Sequence, residues 1–151
     1  MQGDFSENQD IGSTNPSSNS FNDLIEEFEK QYHEQVKADV PMLDASQVLE
    51  IISSNTGDRS RLKRLRDSSS LIAVQESNRF VYPEFQFDRR NHSIYETVSA
   101  INRELVAASD PWGAIAWWTF AHSRLDGRRP IDTPDDPILL DLLTAEIELA
   151  F

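Results

Sequence analysis

Four aspartates govern how this chain can be cut into elements: Asp44, Asp58, Asp110 and Asp136 each stand just ahead of a short stretch with helical apolar spacing. An aspartate there accepts hydrogen bonds from first-turn amides that have no partner inside the helix, so each one marks a start. Asp44 is followed three positions on by Gln47, a pairing in which each side chain can serve the other's backbone amide, ahead of Val48, Leu49, Ile51 and Ile52. Asp110 and Asp136 are each followed by proline, whose fixed φ and missing N–H suit the first helical position. A chain opened so often builds short helices, and the expected class is mainly α.

Between these starts the patterning is specific enough to place the elements. Ser53 to Gly57 interrupts the first helix, and Asp58 opens a second over Arg59–Arg66, with Leu62 and Leu65 turned inward and Arg59, Arg61, Lys63 and Arg64 in water. Two short helices joined by a tight polar turn predict a helix-turn-helix. Leu71-Ile72-Ala73-Val74-Gln75, a turn at Ser77-Asn78, Arg79-Phe80-Val81-Tyr82 and then Phe85-Gln86-Phe87 predict a short β-hairpin that acts as a wing, so the unit covers 43–88. Three further helices follow: Ile94–Leu105 with Tyr95, Val98, Ile101 and Leu105 on one side, Trp112–Ala121, and Ile138–Phe151. They predict a small helical domain over 94–151, with Trp112, Trp117, Trp118 and Phe120 as core.

The N-terminal part differs in composition. Residues 1–19 are rich in Ser, Asn, Asp and Gly and are expected to be a disordered tail, because ordering them costs backbone entropy with little apolar burial in return. Over 20–40, Phe21, Leu24, Ile25, Phe28, Tyr32 and Val36 recur at helical spacing, with Ser20 as cap and Pro41 as stop, which predicts an acidic amphipathic helix.

The formal charge of −12 argues against nucleic acid only until its distribution is considered. Residues 1–58 hold twelve acids against Lys30 and Lys37, whereas Arg59–Arg66 holds five basic groups and no acid. Local charge is what meets a phosphate backbone, so Arg59, Arg61, Lys63 and Arg64 are the expected DNA-binding residues, with a homodimer supplying enough phosphate contacts. The competing reading of the same residues is a solvated charged face that offsets the acidic N-terminal helix.

Little in the sequence supports an enzyme. With no cysteine there is no disulfide, thiolate metal site or cysteine nucleophile; His33, His92 and His122 lie far apart without ligand spacing, and no glycine-rich phosphate loop occurs. No cofactor and no metal are expected, and the absence of a long apolar run or signal peptide predicts a soluble, cytoplasmic protein without a membrane partner.

One further segment stands out. In Leu125-Asp126-Gly127-Arg128-Arg129-Pro130-Ile131-Asp132, Gly127 permits a sharp turn, two guanidinium groups project from it and Pro130 stiffens the exit. With Asp110-Pro111-Trp112, Trp117-Trp118 and Leu139-Leu140-Asp141-Leu142-Leu143, it resembles the toxin-binding domain of the Xre/MbcA/ParS-type antitoxins. The upstream run from Leu71 to Asp88 is similar to the segment before that domain, so the resemblance covers 43–151 and leaves 1–42 outside it. It implies an antitoxin that neutralises a protein toxin, often of the RES type that degrades NAD, by laying its C-terminal helix against the toxin's cleft, with autorepression of its own operon through operator DNA. On the resemblance and on the acidic, apolar character of 131–151, the expected toxin-binding residues are Arg128, Arg129, Leu142, Ile147, Glu148 and Phe151. The same helix also reads as the last element of the protein's own core. The competing function is a stand-alone helix-turn-helix transcription factor or DNA-binding adaptor.

Overall fold

The structure is a computed structural model that describes residues 16–52 and 58–150, with side chains from Ser20 onward. Most of the expected tail (1–15), the polar turn Ser53–Gly57 and Phe151 lie outside the described residues. The chain divides into two compact units, Met1–Asp39 and Val40–Phe151.

In the first unit, helix α1 spans Pro16–Asp39. It starts earlier than the Ser20 cap predicts, because a proline is tolerated at the first helical position, where its absent N–H has no partner to lose. It ends at Asp39 because Val40, preceding Pro41, is sterically driven out of the α region. Phe21, Leu24, Ile25 and Phe28 form an exposed apolar stripe, whereas Tyr32 is half-buried and Val36 is buried.

The second unit runs β1 (Met42–Asp44), α2 (Ala45–Ile52), α3 (Arg59–Asp67), β2 (Val74–Glu76), β3 (Arg79–Pro83), β4 (Phe87–Asp88), β5 (Ser93–Ile94), α4 (Glu96–Glu104), α5 (Pro111–Thr119) and α6 (Ile138–Ala150). It is mainly helical, with a small two-sheet hairpin region. The larger sheet is antiparallel in the order β1-β3-β2, with Leu43 opposite Tyr82 and Val74 opposite Val81; β4 and β5 form a separate pair. Strand β1 has no counterpart in the sequence reading, since three residues are too few to show an alternating pattern.

The predicted helix starts are realised in detail. The amide of Asp44 donates to Gln47 Oε1 and that of Gln47 to Asp44 Oδ1, both at 2.8 Å. Asp58 accepts from the Arg61 amide at 3.1 Å, Asp110 from the Gly113 amide at 3.0 Å and Asp136 from the Ile138 amide at 3.0 Å. Leu43, Val48, Leu49, Ile51, Ile52, Leu62, Leu71, Tyr82 and Phe87 are buried together, joining α2 and α3 to the sheet. At roughly 1.5–3 kcal/mol for each large apolar side chain, this core is the main term holding α3 in place.

Two expected strand segments are not strands. Residues Leu71–Ala73 stay outside the sheet because the side chain of Gln86 takes both backbone groups of Ile72, accepting from its N–H at 2.7 Å and donating to its carbonyl at 3.1 Å. Phe85 and Gln86 lie in a 3-10 turn, Glu84–Gln86, and only Phe87 continues into β4. Gln86 Nε2 also donates to the Pro83 carbonyl at 3.0 Å, and its Oε1 accepts from Asn102 Nδ2 at 3.0 Å. Asn102 Oδ1 in turn accepts from Trp118 Nε1 at 3.0 Å. Gln86, Asn102 and Trp118 are fully buried, so this satisfied polar chain binds the hairpin region to α4 and α5. The regions 43–88 and 94–151 are thereby parts of one unit.

Helix α4 packs against α6, and α5 against the 3-10 turn Pro130–Asp132. Helix α5 ends at Thr119 rather than at Ala121, with Phe120 extended and exposed. Of the aromatic cluster only Trp118 is fully buried; Trp112 and Trp117 are half-buried, and the Trp117 indole donates to Glu146 Oε1 at 2.8 Å. Among the described residues no helix is long and apolar enough to cross a membrane.

Candidate nucleic-acid interface

Helix α3 owes its position to its two ends and one face. At its start the Asp58 carboxylate accepts from the Ser60 hydroxyl at 2.8 Å as well as from the Arg61 amide. The Ser60 hydroxyl and the Arg61 amide, with lesser help from the charges of Arg64 and Arg61, hold that carboxyl below the usual carboxylate range against desolvation, which acts in the other direction. Leu62 is buried, which fixes the inward face. Arg59, Lys63 and Arg66 follow one another at spacings of four and three, and so share the face turned toward the β2–β3 hairpin.

Between that face and the hairpin turn lies an open cleft of about 560 Å³. Arg59, Lys63, Arg66 and Arg79 all line it, along with Phe80 and Tyr82. Asp44 is the one acid in the lining, and its carboxylate already accepts the Gln47 amide. Four cations therefore meet at one place on a chain whose net charge is −12. Four cations against one carboxylate in the lining favour an anionic ligand there.

The individual bonds separate groups free to meet a ligand from groups already engaged. Arg59 Nη2 donates to Ser46 Oγ at 3.1 Å, and Lys63 Nζ pairs with Asp67 at 2.6 Å, both on exposed side chains. That lysine holds the Asp67 carboxyl low, yet an exposed pair of this kind contributes little to stability and water or phosphate competes with it. Arg66 is half-buried: its Nη1 donates to Tyr82 Oη at 2.8 Å and its guanidinium carbon sits 4.1 Å from the centre of the Phe80 ring.

Of the residues expected to bind DNA, Arg59 and Lys63 line the cleft. Arg61 is not in water: it is half-buried, and its Nη1 donates to the Ile52 carbonyl at 2.9 Å, closing the C-terminal end of α2. Arg64 is exposed on another face, 3.4 Å from Ser60 Oγ. The sequence reading passed over Arg66 and Arg79. The signal for Arg79 was its place directly after the Ser77-Asn78 turn, since a side chain there stands at the tip of a hairpin.

The residues expected to bind a toxin differ in exposure and in what they bond. Leu142 is buried in the protein's own core and Ile147 is half-buried, whereas Glu148 is exposed. Arg128 Nε donates to the Leu125 carbonyl at 3.1 Å and Arg129 pairs with Asp132 at 3.2 Å, so both shape the turn that Gly127 makes at φ +80°. Phe151 lies outside the described residues. His92 Nδ1 lies 3.2 Å from the Ile51 carbonyl and His122 Nδ1 3.2 Å from Glu146, and among the described residues no group of three potential metal ligands occurs.

Comparison of the chain with protein-family models, with curated proteins and with solved structures found no match in any of the three.

Proposed function

We propose that the protein binds duplex DNA as a winged helix, with α3 in the major groove and the β2–β3 turn as the wing beside it. The observation that carries this reading is the convergence of Arg59, Lys63, Arg66 and Arg79 on one cleft between helix and hairpin. The order β1-α2-α3-β2-β3, with β3 central in the sheet, supports it, since that is the connectivity of a winged helix-turn-helix. Helix α2 braces α3 through the shared core, and the exposed cations neutralise phosphates and meet guanine edges. The protein is on this reading a binding protein and not an enzyme, and a homodimer doubles its phosphate contacts. Titration of a labelled 20-bp duplex at increasing KCl tests it. Affinity should fall linearly with salt on logarithmic axes, and Lys63→Ala and Arg79→Ala should each reduce the slope by about 0.9. Arg61→Ala should lower the melting temperature and leave the slope unchanged, because its guanidinium serves the Ile52 carbonyl. Absence of binding at low salt refutes the reading.

A second reading rests on the end of α6, where Leu149 is 78% exposed beside the exposed Glu148. An exposed leucine with an adjacent charge at a helix end is open to a partner, and the resemblance to the Xre/MbcA/ParS-type antitoxins implies a toxin of the RES type as that partner, with DNA binding as autorepression. Co-expression with the product of an adjacent toxin-like reading frame tests it. Leu149→Asp and Glu148→Lys should abolish protection of the cells while leaving melting unchanged; full protection by both refutes the contact.

A further inference from the structure

We infer that Arg66 is a positioning residue for the wing: it clamps β3 to α3 and so holds Arg79 at the rim of the cleft, where Arg79 meets a phosphate. The inference rests on the DNA-binding reading above. Arg66 is in the last turn of α3, and it grips β3 at Phe80 and Tyr82, two positions apart and therefore on one face of the strand. One end of its grip is anchored, because Tyr82 is fully buried between β1 and the core. The other end is not. Ser77, Asn78, Arg79 and Phe80 are exposed, and the hairpin that carries them pairs over only three residues, Val74 to Glu76 against Arg79 to Val81. Beyond Val81, which also pairs with Asp44 of β1, only the rungs Gln75–Phe80 and Glu76–Arg79 continue to the turn, and a two-stranded stretch of that length is marginal without a support. The guanidinium supplies one by donating to the phenol with one nitrogen while its central carbon lies over the Phe80 ring, 4.1 Å from the ring centre. A lysine carries the same charge but has neither the fork nor the flat face, so it cannot do both.

That difference separates positioning from direct charge. If Arg66 met a phosphate itself, Arg66→Lys would keep both affinity and salt slope. If it positions the wing, Arg66→Lys should weaken duplex binding about tenfold and lower the salt slope by about one with no change in formal charge, because Arg79 then no longer reaches its phosphate. The same substitution should then remove most of the effect of Arg79→Ala: about tenfold in the parent, under about twofold in the Arg66→Lys background. Phe80→Leu, which removes the stacking ring from an exposed site and leaves the core untouched, should show the same non-additivity. Melting temperatures measured in parallel identify any variant that fails to fold. Full retention of affinity and slope by Arg66→Lys, or independent effects of Arg66→Lys and Arg79→Ala, would overturn the positioning role while the DNA-binding reading stands. A parent protein that binds no duplex overturns both.

Discussion

At the scale of single residues, the side chain with the largest consequence is Gln86, an amide that bonds four partners inside the core. It serves the Ile72 N–H and carbonyl, the Pro83 carbonyl and the Asn102 amide. Gln86→Leu fits the volume and leaves the Ile72 N–H and the Ile72 and Pro83 carbonyls without this partner, while the Asn102 amide keeps only its 3.4 Å bond to the Ser70 carbonyl. At roughly 1–3 kcal/mol for each buried group left unsatisfied, partly relieved by relaxation, the expected loss is at least about 3 kcal/mol, read from the urea midpoint. A loss under about 1 kcal/mol would show that water or a rearranged loop replaces the amide. Acid stability also belongs at this scale. The carboxyls of Asp58, Asp67 and Asp88 are held low, chiefly by hydrogen bonds from Ser60, Lys63 and Asn91 respectively. A carboxyl that is harder to protonate in the folded state stabilises fully above its unfolded pKa, and that contribution fades as the pH falls through the lower folded value. The urea midpoint should therefore drop below about pH 4. Asp58→Asn keeps a capping oxygen but cannot titrate, so its midpoint should fall less between pH 5 and pH 2 than the parent's. Parallel profiles for parent and variant would remove Asp58 from the account.

Among the elements, the C-terminal end of α4 departs from its local preferences. The Val106 amide bonds the Arg103 carbonyl and the Ala107 amide bonds the Asn102 carbonyl, a pair of bonds that closes a helix when the residue after the cap turns left-handed. Here that residue is Val106, at φ 51°, where glycine or asparagine is usual. A β-branched side chain costs about 1–2 kcal/mol in that region, and Val106 recovers little by burial because half of it is exposed. Val106→Asn should raise stability by about 1 kcal/mol, seen as a higher melting temperature. A decrease would mean that the valine makes apolar contacts worth more than the strain. The sequence ends this helix at Leu105, but nothing in it signals a left-handed residue at Val106, because a valine is not expected there; the bonds to Arg103 and Asn102 reveal that turn. The starts of α2, α3, α5 and α6 were legible because a cap and its amide lie two or three residues apart.

For the molecule as a whole, the decisive feature is that the helical region from Glu96 to Ala150 shares its interior with the sheet and α2–α3. Phe85 packs its ring 5.0 Å from that of Trp118, and Asn102 joins Gln86 to the Trp118 indole. A fragment of residues 40–93 leaves the Gln86 amide without Asn102 and exposes the face that α4 and α5 cover. It should show no cooperative thermal transition, whereas residues 40–151 should melt in one step. A cooperative, native-like fragment 40–93 would establish two independent domains.

Caps, turns and basic runs were readable because they are local: a carboxylate finds an amide in the next turn whatever the rest of the chain does, and Ser77-Asn78 closes a hairpin between flanking strands. The acidic helix, the mainly helical class and the basic character of Arg59–Arg66 follow from such short-range rules. Tertiary structure alone decided which of those bases act together. Arg59 and Lys63 meet Arg79, twenty and sixteen residues downstream, because β3 pairs with β1 and brings the hairpin back over α3. Arg61, equally basic and next in line, was withdrawn to close α2 by bonding the Ile52 carbonyl. The physical reason is range: hydrogen-bond geometry within one turn is set by the backbone, whereas convergence of distant charges depends on which apolar faces share a core, and that is settled only when the whole unit packs.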